Sequence, residues 1–88
     1  MDEEELYRLK AYLDRSKNRR KILEILKKEN QPMKPTEISK KIEVHRTTVS
    51  KRLADLKEEE LVKVLNPEDN RNRYYKITQK GEKLLSKK

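Results

Sequence analysis

Cysteine is absent from the 88 residues, and with it go disulfides, thiolate metal sites and cysteine nucleophiles. Tryptophan and phenylalanine are absent as well. With apolar residues at 32%, any core is thin and rests on Leu, Ile, Val and four Tyr. The single glycine, Gly81, leaves no glycine-rich phosphate loop. No run approaches the roughly 20 apolar residues of a membrane span, and residues 1–5 are acidic where a secretory signal would be basic and then apolar. The expected address is cytoplasmic, with no membrane partner. Histidine occurs once, at His45, so a metal site would have only carboxylates as co-ligands, and neither metal nor cofactor is expected. Glu58, Glu59 and Glu60 are consecutive; on a helix they point about 100° apart and make no acid/base pair, so no enzyme is expected.

Charge is what the chain has in quantity: 45% of residues are ionisable and the net charge is +8. Asp2, Glu3, Glu4 and Glu5 contribute −4, so the other 83 residues carry +12. A body this basic suits a polyanion, because Lys and Arg that neutralise phosphates release condensed counterions. The structural alternative is a Lys/Glu surface laced with ion pairs. A chain of this length forms one domain with a small core, a size helped by a partner subunit.

Periodicity divides the chain. Leu6, Leu9 and Leu13 share one face of a helix expected over residues 3–14. Ser16 or Asp14 caps a second over residues 17–29, whose apolar face is Ile22, Leu23, Ile25 and Leu26. Nothing between the two forbids one bent helix. Pro32 and Pro35 then break the pattern. Thr36 offers a hydroxyl cap to a short helix over residues 37–42, and a further helix opens near His45 with Val49, Leu53 and Leu56 on its apolar face. Residues 61–65 and 74–77 alternate as strands, with residues 66–73 as a turn-rich loop between them. Thr78 caps a last helix over residues 79–86 that turns Leu84 and Leu85 inward. The expected fold class is mainly α with a small β-hairpin, a winged helix-turn-helix.

Residues 36–53 carry the strongest pattern, two short helices joined by a tight turn, the second with a polar, cationic outer face. Small Ser39 falls where the helices cross. Arg46, Thr47, Ser50 and Lys51 are placed to reach base edges or phosphates, with His45 at the helix start and Thr48, Arg52 and Lys34 or Thr36 as backbone contacts. In the loop, Asp69, Asn70, Arg71, Asn72 and Arg73 supply donors suited to phosphates and a narrow groove. A solvated hairpin tip is the plain alternative. Tyr74 and Tyr75 offer rings for stacking on a single strand, although one should face the core.

From residue 16 to about residue 85 the chain resembles the winged-helix transcription regulators, and its second half the MarR-type family. Asp69-Asn70-Arg71 followed by Tyr75-Lys76-Ile77-Thr78-Gln79-Lys80-Gly81 is similar to that family's wing: D-x-R, a short strand, then a hydrophobic residue, Thr and a Gly three later. The resemblance implies that Arg71 enters or approaches the minor groove and that Asp69 orients it. Three departures stand out. Glu43 occupies a turn position that is usually Gly, which predicts a wider turn or a positive φ at a non-glycine residue. His45 replaces a common Ser, which implies a weaker helix cap. The family's long terminal helices, which dimerise and form a ligand pocket, are missing, so no small-molecule effector is expected. In size the chain resembles the compact archaeal winged-helix proteins.

The function expected is sequence-selective binding of double-stranded DNA by a homodimer that regulates transcription, associated with the nucleoid. The recognition helix would lie in the major groove and the wing on the adjacent backbone or minor groove, with two recognition helices about 34 Å apart. Residues 1–15 would be a dimerisation extension and residues 16–88 the DNA-binding domain, with Leu6, Leu9, Leu13, Leu84 and Leu85 as seam candidates. A non-specific architectural DNA-binding protein and a winged-helix protein-interaction module are the alternatives.

Overall fold

The computed structural model describes residues 1–86. Five helices and one hairpin follow in the order α1 (Glu3–Asp14), α2 (Lys17–Glu29), α3 (Pro35–Ile42), α4 (Arg46–Glu58), β1 (Val62–Val64), β2 (Tyr75–Ile77) and α5 (Gln79–Ser86). This is the winged helix-turn-helix expected from the sequence.

Each helix end has a local cause. Asp2 accepts from the Glu5 N–H at 2.8 Å, and the acidic first turn of α1 suits the positive end of the helix dipole. Ser16 accepts from the Arg19 N–H, so α1 and α2 are two helices and not one bent one. The start of α3 differs from expectation. Thr36 lies inside the helix, because Pro35 with its fixed φ takes the first position and Lys34 becomes the flanking residue. The Glu37 carboxylate accepts from the Lys34 N–H at 2.8 Å, half of a capping box.

The turn between α3 and α4 resolves the Glu43 question in favour of strain, with Glu43 at φ 55° and ψ 44°. The Ser39 hydroxyl donates to the Val44 carbonyl at 2.6 Å and ties the turn to the helix before it. Glu60, also left-handed at φ 61°, closes α4. There the Leu61 N–H bonds the Leu56 carbonyl and the Glu60 N–H bonds that of Lys57, and the two leucines on either side are both buried.

The hairpin pairs Val62 with Ile77, Lys63 with Lys76 and Val64 with Tyr75. A third element, not foreseen, joins it: Met33, between the two prolines, exchanges two 2.9 Å backbone bonds with Tyr75. The wing is thereby pinned to the segment that leads into α3.

One core unites the elements. Leu9 and Leu13 of α1, Ile22, Leu23 and Leu26 of α2, Ile38 of α3, Val49, Leu53 and Leu56 of α4, Val62, Ile77 and Leu84 form a single buried cluster. The seam candidates of the sequence draw on this same cluster. Leu9, Leu13 and Leu84 are 0%, 1% and 2% exposed within one chain, so their faces are already covered, and only half-buried Leu6 and Leu85 keep surface for another molecule. A core without aromatic bulk needs α1 as a lid.

Candidate nucleic-acid interface

Amphipathic packing orients α4. Val49, Leu53 and Leu56 are buried, which leaves Arg46, Thr47, Ser50 and Lys51 exposed along the outer side. His45 caps the helix, its Nδ1 accepting from the Thr47 N–H at 3.1 Å. Imidazole thus takes the place of the hydroxyl usual at this position.

Thr48 and Arg52 lie on the flank of α4 and are half-buried. Arg52 does not stand free: its Nε is 3.1 Å from Asp55 Oδ2, without hydrogen-bond alignment, and its side chain is 31% exposed. Asp55 also takes the Arg19 guanidinium at 3.3 and 3.4 Å. Arg19 in turn donates to the Tyr12 carbonyl and stacks over the Tyr12 ring, 3.9 Å from its centroid. A charged cluster therefore fastens α4 to α1 and α2. Glu59 completes the attachment, receiving both Arg8 guanidinium nitrogens at 3.0 Å, a bond that holds the Glu59 carboxyl below its ordinary value.

The loop of residues 66–73 is folded by its own polar groups. Asp69 Oδ1 accepts from the backbone N–H groups of Asn72 and Arg71 at 2.9 and 2.8 Å, which holds its carboxyl below the usual carboxylate range. Asn66 closes the loop base, donating to the Asn72 carbonyl and accepting from the Tyr74 N–H. Arg73 bonds the carbonyls of Asp69 and Pro67 and the Asn70 side chain. Its guanidinium is a strut of the loop, in contrast to the expected tip contact. Asp69 orients the backbone of Arg71, and the Arg71 side chain is left exposed with no partner among the described residues.

These placements bring two separate stretches of sequence to one cleft of about 380 Å³. Lys34, Pro35 and Thr36 from the start of α3 line it with Arg46 and Ser50 of α4, Asn70, Arg71, Asn72 and Arg73 of the loop, and Tyr75. No acidic side chain is among them. Arg46 and Arg71 have no ion-pair partner among the described residues, so the cleft presents unneutralised cations from two elements. His45 at the cap of α4 and Thr47 and Lys51 within it are exposed outside the lining. Pro35 and Tyr75 are the lining residues that periodicity alone did not single out. Among the described residues, no three acidic or imidazole side chains gather as a metal site, and no helix is long and apolar enough to cross a membrane.

Residues 8–87 match the model of the HVO_A0261 N-terminal domain. No curated protein matches the chain. Among solved structures, a cysteine-to-serine mutant of ZitR from Lactococcus lactis is 26% identical with a TM-score of 0.66 over 78% of this chain and 47% of that one. Transcriptional regulator Tm0710 of Thermotoga maritima is 28% identical, with a TM-score of 0.60 over 74% and 48%. The chain therefore spans about half the length of these two. A third, a point mutant of S. aureus MepR bound to an oligodeoxyribonucleotide, is 21% identical with a TM-score of 0.64, and the match covers 97% of this chain and 72% of that one. The likeness to MarR-type winged-helix regulators read from the wing motif is present in the fold.

Proposed function

The chain belongs to the HVO_A0261 N-terminal domain family, and from that membership and the cationic cleft we propose that it is a sequence-selective, double-stranded-DNA-binding regulator of transcription. The observation that carries the reading is the meeting of Arg46 and Arg71 in one cleft free of carboxylates. A helix start and a loop that converge this way suit a major groove and its flanking backbone. A protein of the same fold solved with an oligodeoxyribonucleotide supports the assignment.

In this mechanism Arg46, Thr47, Ser50 and Lys51 face base edges, and Lys34 and Thr36 hold phosphates beside them. Arg71 reaches the minor groove or its rim from a loop that Asp69, Asn66 and Arg73 keep rigid before DNA arrives. Less ordering is then required on binding. A second copy on the other half-site completes the reading, and it must pair through surfaces other than Leu9, Leu13 and Leu84.

The test is selection of bound duplexes from a random pool, followed by footprinting against excess random DNA. A discrete, enriched site is expected. Uniform protection with no enriched sequence would replace the regulator with an architectural protein, and affinity unchanged between low and moderate salt would remove DNA as the partner.

A further inference from the structure

The outward side of the wing sheet carries two features that work against stability, and they are neighbours. Lys63 and Lys76 are directly opposed across the strands, a like-charge pair where an opposite charge would be favourable. Two residues toward the loop, the Leu65 N–H bonds the Tyr74 carbonyl at 2.9 Å and carries the register to a further pair. Alternation puts that pair on the same side as the lysines, and Leu65 and Tyr74 are 47% and 37% exposed. Across the other edge of β2, Lys34 follows the bridging Met33 and holds its ammonium 5.7 Å from the centre of the Tyr74 ring. A tyrosine ring beside a leucine thus has Lys34 at its side and Lys63 and Lys76 on the same side of the sheet. None has an ion-pair partner among the described residues, although Glu60 and Glu82 share the hollow on the body side of Lys63 and Lys76.

We infer that this outer face of the wing sheet is a second nucleic-acid surface, which binds single-stranded DNA by stacking a base on Tyr74 while Lys34, Lys63 and Lys76 hold the flanking phosphates. Charge complementarity selects a polyanion. The apolar pair selects among polyanions, because a duplex keeps its base faces stacked inside and offers a tyrosine nothing to lie on, whereas a single strand presents a ring face at every base. Stacking on Tyr74 and phosphate contacts from the lysines need nothing from a ribose 2′-hydroxyl, so deoxyribose suffices. Lys34 also lines the cleft proposed for duplex DNA, so the two surfaces adjoin. They are otherwise built from different residues, and either can fail without the other.

The test is fluorescence anisotropy of the full chain with labelled oligothymidylate of about a dozen nucleotides, run beside a duplex and an oligouridylate of the same length. Tyr74→Ala should weaken oligothymidylate binding about tenfold, Tyr74→Phe should retain it, and both should leave duplex affinity within about twofold. The double variant Lys63→Gln, Lys76→Gln should lower the salt slope for oligothymidylate by about 1.4 while its thermal stability holds or rises, since the like-charge pair is gone. Arg71→Ala should leave oligothymidylate binding unchanged, so loss of duplex binding alone overturns the proposed function and not this inference. The inference is overturned if the chain binds no oligothymidylate, if Tyr74→Phe loses as much as Tyr74→Ala, or if Tyr74→Ala weakens duplex and single strand equally. Tighter binding of oligouridylate overturns the choice of DNA.

Discussion

A Cβ placed on Gly81 would lie 2.5 Å from the Leu61 carbonyl oxygen and 2.8 Å from Ile77 Cγ1. The first turn of α5 thus rests against the backbone at the root of the wing, and the Thr78 hydroxyl, bonded to the Glu60 carbonyl at 2.7 Å and to the Gly81 N–H, fixes the same corner. Only glycine permits this approach. Gly81→Ala is expected to destabilise the chain by about 2 kcal/mol, the crowding outweighing alanine's better helix propensity. Denaturant unfolding measures it, and an unchanged midpoint would show that α5 can lift away from the hairpin.

Arg71 and Arg73 stand two residues apart on one loop and should respond in opposite ways to truncation. Arg71→Ala removes a free cation, so duplex affinity should fall and the slope of log affinity against log salt should drop by about one, with stability unchanged. Arg73→Ala removes bonds to two carbonyls and to Asn70, so stability should fall by about 1 kcal/mol. Salt titrations and thermal melts of the two variants separate the roles. Equal salt slopes for wild type and Arg71→Ala would count against a wing contact with DNA.

The contrast between these arginines marks what the sequence could and could not say. The spans of α1 and α2 are legible because apolar spacing and an acidic helix start are local signals, whereas their division at Ser16 is left open between two helices and one bent one. The start of α3 lies two residues earlier than the Thr36 hydroxyl suggests, because Pro35 opens the helix as well as breaking the segment before it. The Met33–Tyr75 bridge joins residues 42 apart, and no local pattern announces it. Pairing of charges is the least legible of all. In sequence Arg52 and Arg73 are as available as Arg46 and Arg71, and only the fold shows that Asp55 takes the first and loop carbonyls the second.

Tyr12 leads to a prediction at high pH. Burial pushes its hydroxyl up from 10.0 to about 12, the nearby Arg19 cation opposing, and the oxygen is buried with no hydrogen-bond partner. Folding therefore favours the protonated form. The linked stability is fully present below pH 10 and is lost as pH rises from there toward 12. Tyr12→Phe should keep the ring under Arg19, remove the orphaned oxygen and gain about 1 kcal/mol near neutrality. It should also flatten that alkaline decline. Urea midpoints for both proteins between neutrality and pH 12 make the comparison, and parallel curves would mean that water reaches the hydroxyl in solution.

Removal of residues 1–14 distinguishes a dimerisation arm from a structural lid. If α1 were only a seam, the truncated chain would remain folded as a monomer. Leu9 and Leu13, however, are buried in the same cluster as Val49 and Leu53 of α4, and Arg8 holds Glu59 at that helix's end. Truncation should therefore uncover the core and unfold the chain. Leu9→Ala is the milder probe: with its side chain 0% exposed it should lose about 3 kcal/mol, at any protein concentration, because the cavity lies within one chain. Loss that grows on dilution would instead place Leu9 at a contact between copies. Arg8→Ala adds the electrostatic half of the argument. The Arg8 bond depresses the Glu59 carboxyl, so its stabilisation is present above the ordinary carboxylate value of 4.5 and is lost as pH falls below it. In the variant that part of the acid dependence should vanish while the Leu9 contribution stays.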